Sequence, residues 1–200
     1  MRASKGSSFE RKICKQLSLW WSEGKRDDIF WRSSQSGGRA TSRAQKGLST
    51  YGSYGDIAAV DPIGEPLLKL FTIELKRGNS HKTPADLIDV EGDNSKHPWM
   101  KCLQQTIRQH KAAGSVGWMM IFKRDFRAAM VCMETEVYRY FVGRGKVQTR
   151  MRFILTNIFS ECYRLDFCVL PLDQFLSTTS PKDVLRVLSR LGGGRPWPAV

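Results

Sequence analysis

Two acids and a lysine, Asp56, Glu74 and Lys76, stand at intervals in the chain that suit them to joint chemistry. Asp56 opens the short apolar run DIAAV, and Glu74 and Lys76 lie in the stretch FTIELKRG. Side chains on a β-strand alternate between faces with period two. Phe71, Ile73 and Leu75 therefore share an apolar face, and Thr72, Glu74 and Lys76 share a polar one. That polar face has two readings. It is a solvated outer face carrying an ordinary salt bridge, or it is the wall of a cleft. DIAAV (56–60), the turn DPIGEP (61–66) and a strand over 67–76 read as a hairpin, which sets Asp56 beside Glu74. Two such carboxylates can hold one or two Mg²⁺ ions, which prefer oxygen ligands, and the Leu75 carbonyl is a further ligand. Lys76, on the same face, adds positive charge where negative charge develops on a phosphate, or orients the water. The kit suits phosphodiester hydrolysis.

The charge of the whole chain agrees. Its 200 residues carry 32 Lys and Arg against 19 Asp and Glu, a formal net charge of +13. A basic balance of this size is the electrostatic footprint of a protein that binds a polyanion, most often nucleic acid. Other classes are disfavoured. The cysteines (Cys14, Cys102, Cys132, Cys162, Cys168) form no C-x-x-C pair, and with His81, His97 and His110 they complete no zinc pattern. Reduced, mostly buried thiols in a cytoplasmic protein are expected. The start MRASKGSSFER is polar, so no signal peptide is expected, and no apolar run approaches the length of a membrane helix.

Elements must hold these residues in place. Phe9, Ile13, Leu17 and Trp20 or Trp21 recur at helical spacing, which predicts a helix over 8–21, capped by Ser7 or Ser8. Glu10 then falls in the first turn, where the helix dipole favours a carboxylate. A short strand is expected over 29–32. Residues 33–55 are rich in Gly, Ser and Arg and read as a long loop. Loops of that length are usually functional or disordered, and Arg39, Arg43 and Lys46 make this one a candidate phosphate-contacting segment. Residues 78–94 are polar and irregular, with a helical turn near 85–88. Pro98 starts a helix over 98–113 that Gly114 stops. Strands follow over 116–122 and 128–132, and Lys123 and Arg124, at the exit of the first, are candidate phosphate contacts. Further on, a helix over 135–142, strands over 151–158 and 163–169, and helices over 173–176 and 181–191 are expected. The succession is that of a mixed α/β sheet.

The arrangement of Gly55-Asp56, Glu74-Leu75-Lys76 and Glu10 on the preceding helix resembles the PD-(D/E)XK nuclease superfamily. The segment KGSSFER is similar to the opening of archaeal-type Holliday-junction resolvases. The resemblance covers roughly residues 4–133, as the core of a single domain over 1–200 with an extension over 134–200. It implies a restriction-endonuclease-like mixed β-sheet flanked by helices, and a Mg²⁺- or Mn²⁺-dependent DNA endonuclease. Structure-selective cutting of branched or duplex DNA is the first choice, with roles in recombination and repair. Resolvases cut two strands symmetrically, which implies a homodimer. The resemblance also makes Glu10 a metal-site acid, and it implies that Gln104 or Gln105 lines the site, Gln105 being taken as the candidate. The chain departs from the pattern in having Gly55 where Pro is usual, and in its longer loop before Asp56. Restriction-type, repair-type, exonuclease-like or RNA-directed nucleases keep the same site. A non-catalytic DNA-binding protein is the alternative of a different class. It would gain nothing from acids in its cleft, which repel DNA unless a metal neutralises them.

Overall fold

The computed structural model describes residues 5–33, 54–78, 83–87, 97–142, 151–158 and 163–192. Helix α1 spans Lys5–Trp21, and Phe9, Ile13, Cys14, Leu17 and Trp21 form its buried stripe. It begins one turn earlier than the serines suggest. Ser costs little inside a helix, so Ser7 and Ser8 are helical residues rather than caps. Glu10 is consequently not in the first turn, which holds no acid.

Strand β1 (Phe30–Arg32) pairs antiparallel with β2 (Ile57–Ala59) in a two-stranded sheet. The hairpin expected between 56–60 and 67–76 is therefore corrected in two respects: β2 ladders with β1, and residues Glu65–Leu70 are a helix, α2. Pro66 in the first turn pre-sets the helical φ. Leu67 and Leu70 are buried three residues apart. An apolar run such as LLKLF does not distinguish helix from strand by periodicity, and helix packing decides it here.

Strand β3 (Phe71–Arg77) heads a five-stranded sheet with β4 (Gly117–Lys123), β5 (Ala129–Glu134), β6 (Met151–Ile158) and β7 (Tyr163–Pro171), in the order β3-β4-β5-β7-β6. The β3–β4 pair is parallel, with Glu74 opposite Met120 and Lys76 opposite Phe122; the other pairs are antiparallel. Parallel neighbours need a crossover, which α3 (Pro98–Ala113) supplies. Its start is capped by the His97 side chain, which accepts the Trp99 N–H, and its end by Gly114 at φ 66°. On one face of the sheet α3 packs Trp99, Met100, Leu103 and Ile107 against Trp118, Met120, Phe122 and Phe167. The other face is covered by α1, α2, α4 (Thr135–Val142), α5 (Leu172–Thr178) and α6 (Pro181–Leu191). This mixed sheet between helices is the restriction-endonuclease-like α/β class that the resemblance implies. Strand β7, from the region beyond Glu134, lies inside the sheet between β5 and β6.

Candidate active site

The polar face of β3 is not a solvated surface. Residues Phe71 to Leu75 are all buried, and Glu74 has no accessible surface. Its face is turned to α3, and the contacts there define the site. Lys76 Nζ donates to Glu74 Oε2 at 2.8 Å and to Gln105 Oε1 at 3.1 Å, while Gln105 Nε2 donates to Glu74 Oε2 at 3.2 Å. Of the two glutamines left open by the sequence, Gln105 is the one that meets Glu74 and Lys76.

Asp56 reaches the same place without a strand ladder. Its N–H donates to the Ile73 carbonyl at 2.8 Å, and its Oδ2 accepts the Leu75 N–H at 2.7 Å. The residue before it explains the departure from Pro. Gly55 has φ +81°, and a Cβ there would lie 2.6 Å from the Ile73 carbonyl oxygen. Its N–H donates to Gln109 Oε1 at 2.5 Å. Proline fixes φ near about −65° and has no N–H, so it fits neither condition. Ser33 closes the other side, donating from Oγ to the Gly55 carbonyl at 2.8 Å and from its N–H to the Asp56 carbonyl at 2.9 Å.

The electrostatics are those of two crowded acids. Burial first, and the neighbouring Asp56 charge second, push the Glu74 carboxyl up to about 7. Burial also raises Asp56, against the Leu75 N–H and Lys76, which favour its charged form. For Lys76, burial works to lower its pKa, but the Glu74 charge and hydrogen bond outweigh it, and the ammonium is held above its ordinary value. One oxygen, Glu74 Oε1, is buried with no hydrogen-bond partner. A buried carboxylate oxygen without a donor is costly; a proton shared with the neighbouring Asp56 carboxyl would satisfy it, and so would a cation bound between the two acids. The donor set of two carboxylates and a nearby main-chain carbonyl is all oxygen, which fits a hard divalent ion keeping several waters. Three or more metal-ligating side chains are not grouped anywhere among the described residues, so a metal here would rest on two.

Glu10 stands at the margin. Its carboxylate forms an ion pair with Arg32 of β1, and its charge is one of those acting on Asp56. Lys123 and Arg124 line an open pocket of about 240 Å³ together with Lys76, Arg77, Trp99 and Cys102. Arg39, Arg43 and Lys46 lie outside the described residues. Two participants were missed in the sequence, Gln109 and Arg32. Gln109 had a signal, since it follows Gln105 by four residues and so shares its helix face; Arg32 had none, because its pairing with Glu10 depends on tertiary packing.

A mixed sheet flanked by helices, carrying an acid beside an E-x-K strand and a glutamine on the crossover helix, defines the PD-(D/E)XK superfamily of nucleases. Residues 1–186 match the model of a family described as "Phage putative PDDEXK endonuclease", and the chain belongs to that family. The match extends well past residue 133, where the sequence resemblance ended. No curated protein and no solved structure matches the chain. Among the described residues no helix is long and apolar enough to cross a membrane.

Proposed function

We propose that this chain is a divalent-metal-dependent DNA endonuclease, using Mg²⁺ or Mn²⁺, that selects branched DNA and acts in the cytoplasm of a phage-infected host. The observation that carries the metal-dependent reading is the orphaned Glu74 Oε1, buried beside Asp56 with Lys76 Nζ 2.8 Å from its sister oxygen. Asp56, Glu74 and the Leu75 carbonyl would hold the ion. When bound, a divalent ion supplies charge stabilisation at the phosphate and lowers the pKa of its water. The chain's own residues do the rest. Lys76 stays protonated and presents its charge at the scissile phosphate. Gln105, hydrogen-bonded to both Glu74 and Lys76, fixes the rotamers of each. Gly55 and Gln109 hold Asp56 at the right depth. Glu10 acts through its charge and its Arg32 pair, which keeps a cation next to the acids, and is proposed as a site acid of the second rank. Lys123 and Arg124 face the pocket and take the flanking phosphates.

Selection of branched DNA rests on the KGSSFER resemblance, and the symmetric cuts it implies require a homodimer. A protein that only grips DNA is disfavoured because Asp56 and Glu74 would repel the phosphates.

The test is cleavage of a four-way junction, a linear duplex and a single strand, with Mg²⁺ and with EDTA, by wild type, Asp56→Asn and Glu74→Ala. The expected result is Mg²⁺-dependent cutting placed symmetrically on the junction, lost in both variants while binding persists. Cutting of duplex or single strand alone discards junction selectivity and keeps the site. Wild-type rates in either variant refute the site.

A further inference from the structure

The β4–β5 turn carries a side chain that the nuclease reading does not use. Phe126 is fully exposed, at 104% of its reference surface. A single exposed apolar residue is ordinary. This one also adopts φ 59°, the left-handed region that bulky side chains avoid. The chain thus accepts an exposed ring and backbone strain at the same position, and strain of this kind is a pointer to function.

The surroundings say which function. The turn reads Lys123-Arg124-Asp125-Phe126-Arg127, three cations around one ring. It is also tied to the strand that carries Glu74 and Lys76. Arg77, the residue after Lys76, donates through Nη1 to the Lys123 carbonyl at 3.2 Å and pairs through Nη2 with Asp125 at 2.5 Å. The Arg127 N–H closes the turn on the Arg124 carbonyl at 3.3 Å. Lys76 is level with Phe122 in the β3–β4 register. Four residues of strand reach at most about 13 Å, or about four base steps at 3.4 Å each. The ring is therefore presented, on a turn braced to the site strand, within a few nucleotides of Lys76.

We propose that Phe126 is a stacking residue, which lays its ring on an unpaired base of the DNA strand whose phosphates run over Lys123 and Arg124. Aromatic side chains beside a basic track hold single strands by stacking, with little regard to sequence. A paired duplex offers no free base face, so the ring favours single-stranded and branched DNA over continuous duplex. The turn thereby becomes the element that reads DNA structure. The inference rests on the DNA-nuclease reading of the adjacent site.

The experiment measures equilibrium binding of the full-length protein in EDTA to a fluorescein-labelled single strand, the matched duplex and a four-way junction with unpaired bases at its centre. Wild type, Phe126→Ala and Phe126→Trp are compared. Phe126→Ala is expected to bind the single strand about tenfold more weakly and the duplex within about twofold of wild type. The slope of log affinity against log salt stays unchanged, since no charge is lost. Phe126→Trp restores the single-strand affinity. Because the ring touches nothing that folding buries, the alanine variant keeps its melting temperature. Equal affinities of wild type and Phe126→Ala, equal loss on all three substrates, or failure of Phe126→Trp to restore binding each overturns the inference. Should wild type cut DNA with Mg²⁺ while any of these results holds, the nuclease reading survives and the stacking role alone falls. Should wild type neither bind nor cut DNA, the nuclease reading falls and the stacking role with it.

Discussion

Besides its own bonds to Ile73, Leu75 and Ser33, Asp56 is placed by the residue before it. Gly55 N–H has Gln109 Oε1 as its acceptor, and Gly55 itself is wedged against the Ile73 carbonyl. Truncation in Gln109→Ala leaves that part-buried donor without its partner, a loss of about 1 kcal/mol. The variant should fold, melt only slightly below wild type, and cleave DNA about tenfold more slowly, since small displacements of a catalytic group are amplified in rate. Unchanged cleavage would show that Asp56 is positioned without it. Gly55→Ala is more severe. Its Cβ would sit 2.6 Å from a main-chain oxygen at a left-handed φ, so a loss of about 2 kcal/mol or more is expected, seen as a fall in Tm of roughly 5 °C for a chain of this size. A melting temperature equal to that of wild type would mean that β3 yields easily at Ile73. At this scale the common face of Glu74 and Lys76 was legible because strand alternation is a local rule, whereas the meeting of Asp56 with them was expected from a hairpin that does not form. Gln109 was signalled only by its four-residue spacing from Gln105, and Arg32 not at all, because its pairing with Glu10 depends on tertiary packing.

Between elements, the fit of α3 on β3 is set by a small buried polar network below the site. His110 Nδ1 and Thr72 Oγ1 each lie 2.7 Å from Ser115 Oγ, which in turn donates to the Gly117 carbonyl at 3.0 Å. The arrangement locks the end of α3 to the start of β3 and β4, and so sets the height at which Gln105 and Gln109 meet the acids. Burial, with a smaller contribution from Lys111, pushes the His110 imidazole from its ordinary 6.5 down to about 4, against a hydrogen bond to the Gly117 backbone that favours the charged form. The folded state therefore keeps His110 neutral where the unfolded chain is protonated. The stability this contributes is complete above pH 6.5 and drains away as the pH falls toward 4, by up to about 3 kcal/mol in all. His110→Gln removes the titration. In urea titrations, wild type should lose that much more stability than the variant between pH 7 and pH 4. Parallel losses would show that His110 is solvated in the folded state. The elements themselves were mostly legible: α1, α3, β4, β5, α4 and the strands and helices beyond Glu134 stand within a few residues of expectation. The hairpin was not, because LLKLF satisfies a strand and a helix equally, and only the burial of Leu67 and Leu70 against other helices settles it.

For the molecule as a whole, charge is the dominant fact. A net charge of +13 draws in any polyanion, and the affinity so gained must be released by salt. Lys76, Lys123 and Arg124 account for part of that surface, lining one pocket at the end of β3 and β4. A separate share is assigned by sequence to Arg39, Arg43 and Lys46, in the Gly- and Ser-rich stretch that leads directly into Gly55-Asp56. Its basic composition and its place in the sequence before the first acid are why we propose it as a phosphate-contacting segment. Each phosphate that a cation neutralises contributes about 0.9 to the slope of log affinity against log salt. Replacing all three by alanine should therefore flatten that slope by up to about three and weaken duplex and single strand alike. The contrast with Phe126→Ala is diagnostic. Loss of the ring lowers single-strand affinity at constant slope, whereas loss of the three cations lowers the slope on every substrate. An unchanged slope in the triple variant would remove residues 39–46 from the DNA surface and leave the basic pocket beside Lys76 to carry the electrostatic contact.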